Sequence, residues 1–252
     1  MMPHESKHEL LGILGGLGPM ASVYFYELLT AHTAAKKDSD HIDLILSSRA
    51  STPDRTAFIL GESEEDPAPV MCEEARRLER AGATLIAIPC NTAHFFYRQI
   101  REAVSVPVIN IIEETVKMLA QSGTRKIGVL ATEGTVRSGA YKSVAERYGI
   151  GYAVPCDADQ KTLNHLIYGQ IKRGDAPDTE AFSRVCGHLR KDGCDRLVLG
   201  CTELSLIGKA ARPDPSVFAD SLEILAHKTI LACHKTPVGF PDWFLRVPSP
   251  AE

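Results

Sequence analysis

The chain has 252 residues, of which 44% are hydrophobic and 24% are charged, a composition typical of a globular protein with a buried core and not of a disordered chain. The formal net charge is -4, and the lysines and arginines are scattered, so nothing predicts binding to nucleic acid or to an anionic membrane. The first nine residues are polar and lead directly into a short apolar segment, a pattern unlike a signal peptide or a transmembrane helix. We therefore expect a cytoplasmic protein with a small-molecule partner.

The predicted elements alternate between short apolar strands and longer amphipathic helices. The strand candidates are Leu10–Leu14, Ile42–Ser47, Thr84–Pro89, Val106–Ile111, Lys126–Leu130, Gly151–Val154, Arg196–Leu199 and Val217–Ala219. The helix candidates include Val70–Ala81, Thr92–Ala103, Ser138–Tyr148, Gln160–Arg173 and Thr179–Lys191. Strict alternation of strand and helix predicts an α/β fold, with parallel sheets covered by helices on both faces.

The first strand leads into GGLGPMAS, residues 15–22, which has the glycine spacing of a dinucleotide-binding loop. Such a loop presents backbone N–H groups to pyrophosphate, but Pro19 removes one of them where the helix begins. A dinucleotide site usually also has an acidic residue at the end of the second strand, where this chain has Arg49. Since arginine suits a 2′-phosphate, an NADP-dependent oxidoreductase stays an alternative. We favour a loop whose glycines let the backbone approach a small acidic substrate and the opposing domain.

The sequence contains an internal repeat. GILGGLGPMASVYFY aligns with GVLATEGTVRSGAY, and ATLIAIPCNT aligns with CDRLVLGCTE. Two copies of one doubly wound unit predict two similar parallel-sheet domains, related by a pseudo-twofold axis, with the active site in the cleft between them. We assign residues 1–118 and 213–252 to the first domain, which includes the C-terminal tail, and residues 119–212 to the second.

The repeat aligns Cys90 with Cys201, and each follows an apolar strand. Because α/β proteins bind ligands at the carboxyl ends of parallel strands, both thiols are expected to face the cleft. Helix amino termini at this edge lower the pKa of a thiol and attract carboxylates. Two thiols on opposite sides of a cleft suit the removal of a proton from one face of a carbon and its return to the other, which requires no cofactor.

The other cysteines have no counterpart in the repeat and are interpreted as reduced core residues. They are Cys72, Cys156, Cys186, Cys194 and Cys233. An odd total without a secretory context argues against a disulfide framework. No pair has Cys-x-x-Cys spacing, so no metal site is predicted.

Six motifs occur in the order GGLGPMAS, TPDRTAFIL, PCNTAH, IEET, LATEGT and GCTEL. Together they resemble the cofactor-independent aspartate racemases of the aspartate/glutamate/hydantoin racemase superfamily, over about Leu11 to Thr229. The resemblance implies racemisation of an acidic amino acid, aspartate first and glutamate second, without pyridoxal phosphate or metal. It implies that Cys90 and Cys201 are the paired acid and base catalysts. It also implies a homodimer, since family members are usually homodimers.

The resemblance further implies a set of substrate-binding residues. Arg55, in the PDRT motif, is expected to hold a substrate carboxylate, and Lys172 to supply a second cation near the reacting carbon. Leu17 stands where methionine or serine is common in the family, and it is expected to shape the pocket. The turns expected to contact substrate carry Asn91, Thr92, Thr135 and Thr202.

Several of these positions have a second interpretation. Thr135 also suits the cap of a helix that begins near Ser138. His94 lies one helical turn after Cys90 and either tunes it or packs against the first turn. Glu203 is expected to orient the backbone or cap a helix and is not predicted to be a catalyst.

Alternative functions come from other classes. A related isomerase of dicarboxylates such as maleate would use one cysteine as a nucleophile. A dicarboxylate-binding protein would keep the cleft without turnover. Within the racemases, glutamate or a broader range of amino acids is the alternative to aspartate. The tail HKTPVGFPDWFLRVPSPAE lies beyond the resemblance, and its aromatic residues are expected to dock on the body of the protein or on a partner subunit.

Overall fold

The computed structural model describes residues 9–211 and 214–245. Within these residues, parallel strands form two four-stranded sheets, ordered β2-β1-β3-β4 and β6-β5-β7-β8. The strands are β1 (Leu10–Gly15), β2 (Asp43–Ser48), β3 (Leu85–Ala87), β4 (Val108–Ile109), β5 (Lys126–Leu130), β6 (Gly151–Ala153), β7 (Arg196–Leu199) and β8 (Phe218–Asp220). Each overlaps a predicted strand, and the two sheets share one strand order, as a duplication requires. The predicted α/β fold with two similar parallel sheets is confirmed.

Helices connect the strands. They are α1 (Pro19–Ala31), α2 (Arg55–Leu60), α3 (Ala68–Arg80), α4 (Tyr97–Glu102), α5 (Ile111–Gln121), α6 (Glu133–Arg137), α7 (Ala140–Arg147), α8 (Asp157–Asn164), α9 (Thr179–Lys191), α10 (Thr202–Ala211) and α11 (Ser221–Ala232). Since a crossover between parallel strands returns the chain to the same sheet edge, each strand of a sheet ends at the same carboxyl edge. Among the described residues, no helix has the length and apolar character that a membrane span requires.

One buried cluster joins the two sheets. It includes Ile13 of β1, Ile127 of β5 and Leu225 of α11, each with no exposed surface. Helix α11 packs against both α1 and α5 in this cluster. Burial of such apolar side chains stabilises the fold, and the shared core holds the carboxyl edges of the two sheets in a common cleft.

Strand β8 lies in the second sheet, where Leu197–Leu199 of β7 pairs in parallel with Phe218–Asp220. The predicted boundary at residue 213 assigned this strand to the first domain, and that assignment is wrong for the strand. The reason is that the backbone hydrogen bonds of β8 are made to β7, although the following helix α11 packs on helices of the first half. The remaining domain bounds stay a prediction.

Two predicted helices are irregular. The segment predicted as Thr92–Ala103 consists of a 3-10 turn at Thr92–Phe96 followed by α4. The segment predicted as Gln160–Arg173 begins earlier, with α8, and continues as a π-helical segment at His165–Gln170 and a 3-10 turn at Ile171–Arg173. Local departures of this type are frequent at functional sites, and Thr92 of the first segment and Lys172 of the second both line the pocket between the sheets.

The aromatic part of the tail docks on the body of the protein. Trp243 and Phe244 are each 7% exposed, and the rings of Phe240 and Phe244 lie edge-on to His227 of α11. An antiparallel bridge between Thr33 and Pro237 fixes the chain before these rings. Of the two expected docking surfaces, the body of the protein and a partner subunit, the described residues of the tail pack on the body. Residues 246–252 lie outside the described residues.

Candidate active site

The two repeat-related cysteines line one enclosed pocket between the carboxyl edges of the sheets. Cys90 follows β3, and Cys201 lies between β7 and the first residue of α10. They are 5% and 4% exposed. The pocket also contains most of the predicted substrate-binding residues, namely Leu17, Arg55, Asn91, Thr92, Lys172 and Thr202. Residues that lie far apart in the sequence therefore meet around one small volume.

Arg55 is held in this pocket by neutral backbone carbonyls. Its Nη1 donates to Pro53 O at 3.0 Å and to Thr52 O at 3.2 Å, and its Nη2 donates to Leu17 O at 2.7 Å. Its Nε is buried and has no hydrogen-bond partner in the part of the chain that the structure describes. Because these acceptors are neutral, the guanidinium keeps its positive charge for an anionic ligand, and the free Nε supplies a donor.

The glycine loop packs against both halves of the molecule. Gly16 has φ of 82°, and a Cβ built there would lie 2.5 Å from the backbone nitrogen of Arg49. A Cβ on Gly18 would lie 2.6 Å from Oε1 of Glu203. At Gly16 only glycine permits this approach, whereas a side chain at Gly18 would require the Glu203 carboxylate to shift. The prediction that this loop comes close to the opposing half agrees with the geometry.

Arg49 does not present a free cation at the end of β2. Its Nη1 lies 3.2 Å from a carboxylate oxygen of Glu73 and 3.0 Å from one of Glu74. Two carboxylates beside this guanidinium disfavour a 2′-phosphate at the same place. This arrangement weakens the NADP alternative.

Three threonine hydroxyls form a closed hydrogen-bonded set. Thr92 Oγ1 lies 3.0 Å from Thr132 Oγ1 and 2.9 Å from Thr135 Oγ1, and the latter two are 3.0 Å apart. Thr132, which sequence reasoning missed, is the N-cap of α6 and accepts from the Thr135 N–H. Thr135 lies behind Thr92 and is absent from the described lining of the pocket. Thr135 lies inside α6, and the helix predicted to begin near Ser138 begins at Ala140 as α7, so Thr135 caps neither helix.

The side chain of Asn91 already has partners for both of its polar atoms. Its Nδ2 donates to Ser221 Oγ at 2.9 Å, and its Oδ1 accepts from the hydroxyl of Tyr141 at 2.7 Å. These contacts tie the turn after β3 to α7 and α11. The two bonds fix the orientation of the Asn91 side chain, and its second amide hydrogen and second oxygen lone pair are the groups it could offer to a substrate.

His94 positions the turn that carries Cys90. Its Nδ1 donates to Cys90 O at 2.8 Å, and its Nε2 accepts from the Ile111 N–H at 3.2 Å. Burial lowers the pKa of His94 to about 4, which fits the neutral ring that these two hydrogen bonds require. Of the two interpretations, the geometry favours packing against the first turn.

A second charged group lies on the opposite side of the pocket. Nζ of Lys172 lies 3.5 Å from Oε1 of Glu203, and 4.8 Å from the centre of the Tyr168 ring. The hydroxyl of Tyr168 donates to Thr56 Oγ1 at 2.8 Å, which links the π-helical segment to α2. Sequence reasoning missed Tyr168 and Thr56, although both lie next to motif residues.

Burial raises the pKa of both cysteine thiols. For Cys90, the nearby Arg55 guanidinium lowers the pKa in part. For Cys201, the Glu203 carboxylate raises it further, well above the ordinary value. The expectation that helix amino termini lower both pKa values is thus wrong for this closed pocket, because removal of water from the thiolate outweighs the helix dipole.

The pocket around the thiols has a cavity volume of about 10 Å³, enough for about one water molecule. A groove of about 360 Å³ adjoins it and shares Leu17, Arg55, Lys172 and Glu203 as lining residues. An amino acid fits a groove of this size and not the closed pocket. Substrate must therefore bind as the side chains between the groove and the thiols move apart.

Known proteins share this sequence and this fold. The family model described as Asp/Glu/Hydantoin racemase matches residues 14–229. A broad specificity amino-acid racemase from Bacillus subtilis is 28% identical over 225 residues, which cover 88% of this chain and 96% of that protein. A glutamate racemase from Aquifex aeolicus is 29% identical over 175 residues, which cover 63% of this chain and 65% of that protein.

Solved structures give the same result. An aspartate racemase from Picrophilus torridus superposes with a TM-score of 0.80 at 30% sequence identity. The superposition covers 91% of this chain and 96% of that one. The likeness extends over both sheets, so it applies to the whole cleft and not to one half of it.

Proposed function

Because the chain belongs to the Asp/Glu/hydantoin racemase family and is an amino-acid racemase, we propose that it inverts the α-carbon of an acidic amino acid, aspartate before glutamate. One observation carries this proposal. Two thiols from equivalent positions of the two sheets line the same pocket as Arg55, whose buried guanidinium donates to neutral carbonyls among the described residues. A site of this kind combines two proton carriers with a binding group for a carboxylate.

In the proposed reaction, Cys90 and Cys201 act on opposite faces of the α-carbon. One sulfur, as thiolate, takes the α-proton, and the electron pair of the C–H bond remains on the substrate and spreads into its α-carboxylate. The other sulfur donates its proton to the opposite face. One proton is taken up and one is given in each turnover, and the two sulfurs exchange their protonation states.

Arg55 is proposed to bind the α-carboxylate, where negative charge increases in the transition state. A fixed cation at this position stabilises the carbanion-like species more than the substrate. Leu17 and Thr202 are proposed to contact the substrate from the two sides of the cleft, and Thr92 to contact it from the turn after Cys90. The ammonium group of Lys172 is the proposed partner of the side-chain carboxylate of aspartate. That carboxylate would compete with Glu203 for the ammonium group.

Closure of the cleft is part of this proposal. The groove beside the pocket admits the substrate, and its return to the closed form excludes water from the thiols. Contacts that cross the cleft, such as Tyr168 to Thr56 and Thr92 to Thr132, stabilise the closed form. Desolvation then strengthens the attraction between Arg55 and the substrate carboxylate.

A broader substrate range is the second candidate, and one contact favours it. The ion pair between Lys172 and Glu203 neutralises the part of the site that would receive a substrate side chain. An uncharged side chain would leave this pair intact, as in a racemase of broad specificity. A panel of amino acids with acidic, polar and apolar side chains separates the two candidates. Aspartate is expected to have the highest kcat/KM.

The two-thiol mechanism is tested by three matched substitutions. Cys90→Ala and Cys201→Ala are each expected to reduce racemisation by at least about 10³-fold, because each removes one proton carrier. Cys186→Ala is the control, since Cys186 is buried on α9 beside a separate apolar cavity. Full activity of either of the first two variants would refute the mechanism.

Mass spectrometry of the protein incubated with substrate tests the remaining enzyme alternative. A dicarboxylate isomerase with a nucleophilic cysteine would carry a covalent adduct on Cys90 or Cys201. The proposed racemase forms no such bond, so its mass is expected to stay unchanged. Binding of aspartate with unchanged chirality would favour the non-catalytic alternative.

A further inference from the structure

The environments of the two thiols differ in one respect that the repeat does not predict. Sγ of Cys201 donates to Oε2 of Glu203 at 3.1 Å, and both side chains are buried. The hydroxyl of Thr202 donates to the same oxygen at 3.4 Å. The Glu203 carboxylate thus accepts a hydrogen bond from the thiol of one of the two catalytic cysteines.

Cys90 has a different neighbour. Among nearby charges, the Arg55 guanidinium has the largest effect on the pKa of Cys90 and lowers it, and the Glu203 carboxylate raises it to a smaller extent. The backbone carbonyl of Cys90 accepts a hydrogen bond from the neutral ring of His94. In the aligned repeat, PCNT stands opposite GCTE, so the position equivalent to Glu203 in the first half is Thr92. The duplicated sequence therefore supplies a carboxylate beside only one of the two sulfurs.

Other charged and titratable groups also face Cys201 and Glu203. Lys172, on the 3-10 turn at Ile171–Arg173, pairs with Oε1 of Glu203, the carboxylate oxygen that does not accept from Cys201. The further groups lie on the first half and on the π-helical segment, and they are Asp54, Arg55, Cys90 and Tyr168. Asp54 accepts from the Ala57 N–H as the cap of α2, so its carboxylate is directed to that helix.

We infer that Glu203 is a positioning residue that keeps Cys201 protonated, so that in the substrate-free enzyme Cys201 is the acid and Cys90 is the base. This inference rests on the proposed two-thiol racemisation. A thiolate on Cys201 would place two negative charges 3.1 Å apart in a buried site, which is unfavourable at low dielectric. A thiolate on Cys90 would instead lie near Arg55.

The inference predicts unequal kinetics for the two enantiomers. In the favoured state, Cys90 removes the α-proton and Cys201 donates its own, after which Cys90 holds a proton and Cys201 is the thiolate beside Glu203. The enantiomer whose α-proton faces Cys90 binds to the favoured protonation state of the enzyme, in which Cys90 is the thiolate, so it has the lower KM. Its turnover leads to the less stable protonation state, so it also has the lower kcat. The ratio kcat/KM is the same for both enantiomers, because their equilibrium constant is one.

The first test measures the protonation of each thiol directly and does not depend on activity. The intact protein is alkylated with iodoacetamide across a range of pH, and modification of Cys90 and Cys201 is followed separately by mass spectrometry. In the wild type, Cys90 is expected to react at lower pH than Cys201. In Glu203→Gln, the midpoint for Cys201 is expected to fall by about 1 to 3 pH units, because a like charge is removed.

The second test uses racemisation. In Glu203→Gln, the alkaline limb of the kcat/KM profile is expected to move to lower pH, since this limb reports the loss of the Cys201 proton in the free enzyme. The ratio of kcat for the two enantiomers is expected to move towards one. Glu203→Asp keeps the charge and should retain much of the wild-type profile. Glu133→Gln, outside the pocket lining, should leave the profile unchanged.

These results separate the two proposals. An unchanged Cys201 midpoint in Glu203→Gln, or a wild type in which Cys201 reacts at lower pH than Cys90, would overturn the role of Glu203. An equal loss of kcat for both enantiomers, with no movement of the pH profile, would also overturn it, because that is the result of a merely structural defect. A wild type without racemase activity would reject the proposed function, while the alkylation midpoints would still decide whether Glu203 acts on Cys201.

Discussion

Loss of the hydroxyl of Tyr168 should weaken the closed form of the cleft. This hydroxyl donates to Thr56 Oγ1 at 2.8 Å and joins the π-helical segment to α2. A neutral hydrogen bond of this type contributes about 0.5 to 1.5 kcal/mol, which corresponds to a factor of about 2 to 13 in the closing equilibrium. In Tyr168→Phe, kcat/KM is therefore expected to fall by about this factor, with an intact fold.

A double-mutant cycle isolates this contact. Racemisation is measured by chiral chromatography for the wild type, Tyr168→Phe, Thr56→Val and the double variant. If the two hydroxyls act through one hydrogen bond, the double variant loses less activity than the product of the single effects, with a coupling energy of about 0.5 to 1.5 kcal/mol. Tyr148→Phe is the control, because it loses an exposed hydrogen bond to Glu113, away from the pocket. Independent effects of the two substitutions would refute the cleft-closing role.

Three further predictions concern the loop, the turn and the tail. Gly18→Ala would place a Cβ 2.6 Å from Glu203 Oε1 and should lower kcat/KM by about 10- to 100-fold, whereas Gly187→Ala, with open space at its Cβ, should leave it unchanged. His94 has a pKa of about 4 when folded and about 6.5 when unfolded, so the unfolded chain binds more protons between these values. Urea denaturation at several pH values should therefore show that the wild type loses stability relative to His94→Gln by about 1.4 kcal/mol for each unit that pH falls through this window; parallel curves would contradict the neutral buried ring. Phe244→Ala should lower the free energy of unfolding by about 3 kcal/mol, and a change below about 1 kcal/mol would mean that the tail does not stabilise the fold.

The strands and the position of the thiols could be predicted from the sequence, because both depend on local patterns that recur in the two halves. Short apolar runs between amphipathic segments predict parallel strands, and the alignment of PCNT with GCTE places Cys90 and Cys201 at equivalent sheet edges. The strand order in the two sheets is the same, so the two turns occupy equivalent positions at the carboxyl edges of their sheets.

The parts that sequence reasoning missed depend on contacts between distant segments. The helical periodicity around Tyr168 does not reveal the π-helical segment from which its hydroxyl donates to Thr56. The side chain of Asn91 follows a motif cysteine, but its partners come from α7 and α11, far along the chain. Glu203 resembles a helix-capping residue in sequence, and only the folded turn directs its carboxylate to the neighbouring thiol.

The pKa values of the thiols required the three-dimensional pocket. A cysteine next to a helix amino terminus predicts a lowered pKa, and Cys201 does precede α10 directly. Its burial and the Glu203 carboxylate raise the pKa instead. Neither effect can be recognised from neighbouring residues in the sequence, since both depend on how completely the edge of the second sheet covers the edge of the first.

Proton NMR of L-aspartate incubated with the protein in heavy water, followed by chiral analysis of the product, tests the central claim most directly. The two-thiol mechanism predicts loss of the α-proton signal together with the appearance of D-aspartate, because the proton returned to the opposite face comes from exchanged solvent. Retention of the α-proton signal and of the L configuration, for glutamate as well as for aspartate, would contradict racemisation of acidic amino acids by this site.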